Sequence, residues 1–265
     1  MEHPHLWTAI SSDIVESSAG GYPRHSELRN AAENAITESQ QTCPVPNPWI
    51  RESRGDGEVI LAPADVPAAW LLDDFLHRLR IAILRYNRNK HEDHTLRLRV
   101  GIDFGDVVTE PGHVVQGGDP IVAATRLQES GAAREATVAL PDAPIVTMIS
   151  DGMYQRVVPH AAAGLEPRMF RRVRAVVPGK AYDRFAWLHV PGHQPPHVTG
   201  TEPDPDDGDP SDTQRPAPGN QGGGTPSARG AASRGITARD IGLLSVGDRN
   251  KFQFGNTTFN RVRDE

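Results

Sequence analysis

A hairpin signal in the first quarter of the chain sets two strands side by side and fixes the point where they turn. Residues 50–63 read IRESRGDGEVILAP, with a short apolar start at Ile50 and a bulky, largely β-branched run at residues 59–61. Asp56-Gly57 between two such runs is the strongest short-range sign of a β-hairpin. A carboxylate at so tight a tip suits a metal ligand that faces a phosphate. Asp and Gly also suit an ordinary turn, so the hairpin alone leaves both interpretations open.

A change in composition near Pro191 limits the packed part of the chain to about its first 190 residues. Residues 191–235 are rich in Pro, Gly, Asp, Ser and Thr, which predicts a disordered linker. Only 37% of the 265 residues are apolar, as expected when part of a chain stays unpacked. Residues 236–265 regain apolar side chains but are too few to build a core. We therefore predict a domain at 1–190, a linker at 191–235 and a short self-association motif at 236–265.

Charge and cysteine content narrow the classes of protein that the chain can belong to. A net charge of −6 argues against a general nucleic-acid binder. The single cysteine, Cys43, rules out an internal disulfide and fits a reducing compartment. No apolar run is long enough to span a membrane, and the first residues lack the pattern of a signal peptide. We expect a cytoplasmic protein with no nucleic-acid partner and no membrane partner.

The order of the predicted elements indicates an α+β fold. Strands are predicted at 6–10, on both sides of the Asp56 turn, and at 96–108, 144–148, 169–177 and 182–190. Helices are predicted at 26–41, at 66–87 after a cap at Asp65, at 119–130 after a cap at Asp119, and at 150–157. Hairpins mixed with crossover helices predict a ferredoxin-like sandwich, with helices on one face of a mostly antiparallel sheet.

Four pieces of the sequence, in order, carry a resemblance to a known family. Asp13-Ile14 follows the first strand, Gly55-Asp56 lies in the hairpin, residues 99–102 read RVGI, and residues 118–127 read GDPIVAATRL. Together they resemble the catalytic domain of class III nucleotidyl (adenylate/guanylate) cyclases, in a form common in actinobacteria. The resemblance covers about residues 6–190 and implies the class III cyclase sandwich.

The resemblance also implies a metal site. Asp13, Ile14 and Asp56 would hold two divalent ions, Mg²⁺ or Mn²⁺, against the triphosphate of a nucleoside triphosphate. One ion would activate the ribose 3′-hydroxyl and the other would stabilise charge on the departing pyrophosphate. An alternative interpretation is that Asp13 and Asp56 are turn residues retained on an inactive scaffold.

The rest of the implied site involves a second subunit and the nucleotide. In the family the site is completed across a head-to-tail homodimer, so Arg126 would reach phosphates bound by the partner subunit. A buried ion pair within its own helix is the alternative for Arg126. Ile14, Glu52, Gly55 and Asp119 fall at positions where the family contacts the nucleotide.

The sequence departs from the family where the partner subunit should act. Val122 replaces the transition-state asparagine, and Val115 falls near the base-reading aspartate. Glu52 lies near the base-reading lysine, with the residue type that guanylate cyclases place there. Residues 16–18 read ESS where the family has a Gly-Phe-Thr character. Loss of a transition-state donor typically costs about a hundredfold or more in rate.

The tail resembles something different. Residues 246–256 read VGDRNKFQFGN and resemble bacterial amyloid signalling segments related to the RIP homotypic interaction motif. Alternation of Phe252, Gln253 and Phe254 suits stacked strands in register, which would let the tail assemble with like motifs. The alternative is a polar tail that docks on its own domain.

Two hypotheses of function follow. The first is an enzyme that forms a cyclic nucleotide from a nucleoside triphosphate at a homodimer interface. The second is a catalytically inactive, cyclase-like regulatory module that binds nucleotide or a partner and signals by tail-driven assembly. The sequence leaves open whether the chain is an enzyme.

Overall fold

A computed structural model describes residues 4–17, 21–46, 48–110, 114–160 and 164–201, which form one α+β domain. The strands are β1 (His5–Ile14), β2 (Ile50–Arg54), β3 (Gly57–Pro63), β4 (Leu98–Glu110), β5 (Val114–Gly117), β6 (Ile145–Ser150), β7 (Phe170–Val176) and β8 (Asp183–His189). The helices are α1 (Gly21–Gln40), α2 (Ala68–Trp70), α3 (Leu76–Asn87), α4 (Asp119–Glu129), α5 (Gly131–Ala139) and α6 (Asp151–Val157), with a π-helical turn, Leu71–Phe75, joining α2 to α3. None of the helices in these ranges is long and apolar enough to cross a bilayer.

The described residues belong to one compact unit, Met1–Gly208, and the second unit, Asp209–Glu265, lies outside them. The predicted tail and the predicted linker from residue 202 onward therefore also lie outside the described residues. The linker's first part, residues 191–201, is described, and its end lies alongside β7. The Arg174 amide donates to the Gly200 carbonyl, and Thr201 forms a β-bridge with Val173.

The sheet confirms the predicted α+β class. Its strands run in the order β2-β3-β1-β4-β6-β8-β7, and β5 pairs with β4. Among the described strands, every named pair is antiparallel except β4 with β6. The hairpin predicted around Asp56 is β2 and β3, and the predicted strands near the end of the domain are β7 and β8.

Helices cover both faces of the sheet, so the expectation of helices on one face was wrong. Ile10 and Ile60 face a core shared with α1 and α3, whereas Ala9 and Leu61 face one shared with α4. The helix layer that contains α4 approaches the sheet closely at Gly101, where an added Cβ would lie 1.9 Å from a carbonyl oxygen of α4. A strand buried on both faces reads as a continuous apolar run, as residues 59–62 do.

Strand β1 continues four residues beyond the predicted end at Ile10. Ser11 and Ser12 are polar and suggested a loop, but both are buried. The Ser11 hydroxyl donates to the Gln128 Oε1 at 2.9 Å, which satisfies it inside the fold. Asp13 is therefore the second-last residue of β1.

Local signals missed two elements and misplaced two caps. Strand β5 and helix α5 were not predicted. Pro67 precedes α2, so Asp65 is not the cap, and Gly118 rather than Asp119 caps α4. Asp119 is instead the first residue of α4, where a carboxylate meets the positive end of the helix dipole.

Candidate functional site

The hairpin brings Asp56 beside Asp13. Strands β1 and β3 pair so that Asp13 lies opposite Gly57, and Asp56 precedes Gly57 at the tip. Gly55 has φ +67°, a conformation that favours glycine. A Cβ on Gly57 would lie 2.3 Å from the Ser12 carbonyl oxygen. The two glycines therefore let the tip turn tightly and approach β1 closely.

Asp13 is neutralised by an arginine within the same sheet. Arg99 lies opposite Asp13 on β4, and its Nη2 forms an ion pair with the Asp13 Oδ2. Side-chain exposure is only 16% for Asp13 and 18% for Arg99. Burial raises the pKa of Asp13, the bond and charge of Arg99 oppose this, and nearby Asp56 raises it again. The net pKa of Asp13 is raised, chiefly by burial, and Asp56 contributes to the rise.

Asp56 has a donor of its own. Ser17 is buried, and its hydroxyl donates to the Asp56 Oδ2. The preceding residue, Glu16, has φ +56°, and Arg24 holds it there by donating from Nη1 to the Glu16 carbonyl at 2.9 Å. Arg24 is itself buried and also donates to the Asp93 carbonyl. The turn after β1 is thus fixed in the position that places Ser17 on Asp56.

The donor set fits a divalent ion with a preference for oxygen. Asp13 and Asp56 each keep one carboxylate oxygen beyond the one bonded to Arg99 or Ser17. The side chain of Ile14 is a hydrocarbon, so Ile14 can contribute only its backbone carbonyl. Across the described ranges, no three His, Cys, Asp or Glu side chains gather as metal ligands. Mg²⁺ is commonly held this way, by one or two carboxylates with phosphate and water supplying the rest.

Glu52 and Gly55 flank the carboxylate pair. Glu52 pairs with Val59, which pairs with Ser11, so Glu52 shares the sheet face of Asp13. Arg54 Nη2 lies 3.4 Å from the Glu52 Oε2.

Open space lies next to Asp56. A cavity of about 350 Å³ is bordered by Asp56 and Gly55 of the hairpin and by Tyr22 and His25 of α1. Tyr22 is 81% exposed, so an aromatic ring stands beside the acidic pair with most of its surface in solvent. The space is large enough for part of a nucleotide.

Arg126 lies elsewhere in the chain. Its Nη1 is 2.9 Å from the Glu129 Oε2, and Lys180 Nζ is 2.5 Å from the same oxygen. Lys180 and Tyr182 lie in the turn before β8, and strands β4 and β6 separate β8 from β1. Among the described residues, Arg126 forms its ion pair with Glu129 and forms none with Asp13 or Asp56.

Two positions that the family uses for the transition state and the base carry valine here, one on α4 and one on β5. Val122 is 47% exposed on α4, and Val115 is buried on β5. Asp119 is exposed at the start of α4. Neither valine can donate a hydrogen bond to a ligand.

Sequence reasoning missed four polar residues near Asp13, Asp56 and Asp119. Arg99 and Ser17 contact the carboxylate pair, and Arg24 holds the turn that carries Ser17. Asp103 accepts a 2.5 Å hydrogen bond from the Ser150 hydroxyl. Burial raises the pKa of Asp103, and the Ser150 bond opposes that rise. Only Arg99 had a usable signal, because alternation along β4 places it on one face. Ser17 and Arg24 gave no local signal of their role.

Comparison with solved structures identifies the fold. The adenylyl cyclase CyaB from P. aeruginosa matches with a TM-score of 0.50 at 14% identity, over 74% of this chain and 100% of that one. A bacterial light-regulated adenylyl cyclase matches with a TM-score of 0.51 at 14% identity, over 73% of this chain and 54% of that one. The described domain has the class III nucleotidyl cyclase fold.

A third cyclase-fold structure, the guanylyl cyclase Cya2, matches at 15% identity with a TM-score of 0.49, over 73% of this chain and 98% of that one. No protein-family model matches the chain, and no curated protein matches it. The cyclase fold predicted from the sequence is confirmed, and the actinobacterial type stays a prediction.

Proposed function

We propose that the chain binds a nucleoside triphosphate with Mg²⁺ or Mn²⁺ at Asp13 and Asp56 and, as a homodimer, converts it to a cyclic nucleotide. The observation that carries this proposal is the placement of Asp13 beside Asp56 in a domain with the cyclase fold. Two carboxylates that repel each other are costly unless a cation or donors offset their charge.

The chain's own groups would orient the triphosphate. Asp13, Asp56 and the Ile14 carbonyl would hold the divalent ions. Arg99 would exchange its contact with Asp13 for a phosphate oxygen once a cation neutralises Asp13. Its Nε is buried and, among the described residues, makes no hydrogen bond, so it has a donor to offer.

The bound ions would supply acidity to the ribose 3′-hydroxyl and charge stabilisation to the departing pyrophosphate. The 3′-oxygen would attack the α-phosphorus, and the bond from that phosphorus to pyrophosphate would break. Ser17 would keep Asp56 oriented throughout. Arg126 would act on nucleotide bound by the partner subunit, after leaving Glu129, because a guanidinium meets phosphate oxygens in pairs.

The test is to incubate the purified chain with ATP, GTP, CTP or UTP and Mn²⁺ and to search for cyclic product by mass. We expect one triphosphate to be converted, and Asp13→Asn or Asp56→Asn to reduce the rate at least about a hundredfold. Asp142→Asn, at an exposed loop position, is the matched control and should leave the rate unchanged. Absence of product from all four triphosphates would contradict the proposal that the chain is an enzyme.

A second candidate function is a regulatory module that binds nucleotide without turnover. The exposed Val122 and buried Val115 favour it, because neither position can supply the donor that a cyclase transition state uses. In that case Mn²⁺ and nucleotide would still bind, Asp13→Asn would abolish the binding, and no product would form. Tail-driven assembly stays a prediction of this candidate, since residues 236–265 lie outside the described residues.

A further inference from the structure

A second cavity lies against the beginning of β1, at the end of that strand remote from Asp13. It measures about 370 Å³ and is bordered by Leu6 and Thr8 of β1 and by Phe104 of β4. From Thr8 to Asp13 the strand rises about 17 Å. The cavity is therefore separate from the carboxylate pair.

The walls of this cavity are mostly apolar. Phe104, Met153 and Val157 form one side, and residues 66–69 form another. Leu6 remains 38% exposed at its edge. Ligand pockets typically enclose about 300–1,000 Å³ and have apolar linings with few polar groups. The cavity matches a small ligand with an apolar body.

The mouth of the cavity carries a cation, the exposed side chain of Arg156. The Arg156 guanidinium carbon lies 5.0 Å from the centroid of the Phe104 ring, a cation–π contact that holds it over the wall. No carboxylate of the described residues forms an ion pair with Arg156, and no acidic side chain is among the residues that border the cavity. His160 adds a second nitrogen at the mouth. A ligand with one negative group would meet a cation with no competing anion.

We propose that this cavity binds a small monocarboxylic acid with an apolar body, such as a medium-chain alkyl carboxylate. The carboxylate would accept hydrogen bonds from Arg156, and the alkyl chain would cover Phe104, Met153 and Leu6. A neutral or cationic ligand of the same shape would lose the ionic contact. This inference is independent of the proposed reaction at Asp13 and Asp56.

The test is titration of decanoate into the full chain by calorimetry, with decylamine as the ligand of opposite charge. We expect decanoate to bind the wild-type protein and decylamine to bind at least about tenfold more weakly. Arg156→Gln should weaken decanoate binding at least about tenfold, and Arg156→Lys should keep part of the affinity. Arg134→Gln, an exposed arginine on α5, is the matched control and should bind like the wild type.

A second variant tests the cavity itself. Ala69 borders it from an exposed position, so Ala69→Trp should fill it and abolish decanoate binding while the fold is kept, as judged by circular dichroism. The proposal is overturned if decanoate fails to bind the folded wild type, if decylamine binds equally well, or if folded Ala69→Trp binds decanoate as tightly as the wild type does. Should Arg156→Gln fail to fold, the comparison of the two ligands on the wild type still decides the ionic contact. Binding that survives Asp13→Asn unchanged would place the ligand away from the carboxylate pair.

Discussion

Two negative side chains are held together at the end of β1, and each has a donor that belongs to the protein. Arg99 bonds to Asp13, and Ser17 bonds to Asp56. Burial raises the pKa of Asp13, Arg99 opposes that rise, and Asp56 adds to it. Ser17 acts through its bond to Asp56, so we regard it as a positioning residue, and Arg24 supports it through the Glu16 carbonyl.

Under the proposed function, Ser17→Ala should weaken Mn²⁺ binding by about tenfold, because a carboxylate ligand that loses its supporting hydrogen bond binds metal less tightly. Ser17→Thr keeps the hydroxyl and should retain most of the affinity. Electron paramagnetic resonance of Mn²⁺ measures both, with Ser53→Ala on the same hairpin as the control. Equal affinity for Ser17→Ala and the wild type would show that Ser17 does not support the metal site.

The β7–β8 pair illustrates how an element can depend on one titratable group. His189 is buried at the end of β8, where its ring stacks on Phe170 with centroids 4.6 Å apart. Its Nδ1 donates to the Met169 carbonyl at 2.9 Å. Burial lowers the pKa of His189, and the Met169 bond and the charge of Asp73 only partly oppose this. The folded protein therefore holds the neutral imidazole.

We expect this group to make the domain less stable in mild acid. The unfolded chain takes up a proton at His189 as the pH falls through the ordinary value of 6.5, and the folded chain takes it up only at lower pH. The contribution of His189 to the free energy of unfolding is thus complete above that pH and falls by up to about 1.4 kcal/mol per pH unit below it.

Urea unfolding at pH 7.5, 6.5 and 5.5 tests this. The free energy of unfolding of the wild type minus that of His189→Gln should shrink as the pH falls. His77→Gln, at an exposed position on α3, should follow the wild type at all three values. A difference that stays constant with pH would contradict the prediction.

At the scale of the whole molecule, the parts of the proposed site are divided. Asp13 and Asp56 lie at one end of β1, and Arg126 lies with Glu129 and Lys180 beside Tyr182. Under the proposed function, a second subunit would supply the arginine to the carboxylate pair of the first. Such a shared site makes activity depend on the pairing of chains.

Mixing two inactive variants should restore activity. Asp13→Asn lacks the metal ligand and Arg126→Ala lacks the arginine, so a mixed dimer has one complete site and one doubly defective site. Random exchange of subunits makes half of the dimers mixed, so the mixture should recover about a quarter of the wild-type rate. The cyclase assay on an equimolar, co-refolded mixture measures it. No recovery, with an active wild type, would contradict a site shared between subunits.

The sequence by itself determined the features that depend on neighbouring residues. Turn chemistry fixed the hairpin at Asp56, and alternation predicted β4. The resemblance to cyclases gave the fold and named Asp13 and Asp56 together. These features depend on short stretches of chain, which a sequence displays directly.

Only the tertiary structure decided which residues meet across the sheet. The length of β1 depends on Gln128, which gives Ser11 a partner inside the fold. Helices cover the second face because Gly101 lets α4 approach. Ser17 and Arg99 reach the carboxylates through contacts between distant parts of the chain. Such contacts follow from strand register and packing, and no local pattern of residues encodes the partner that a side chain finds far along the chain.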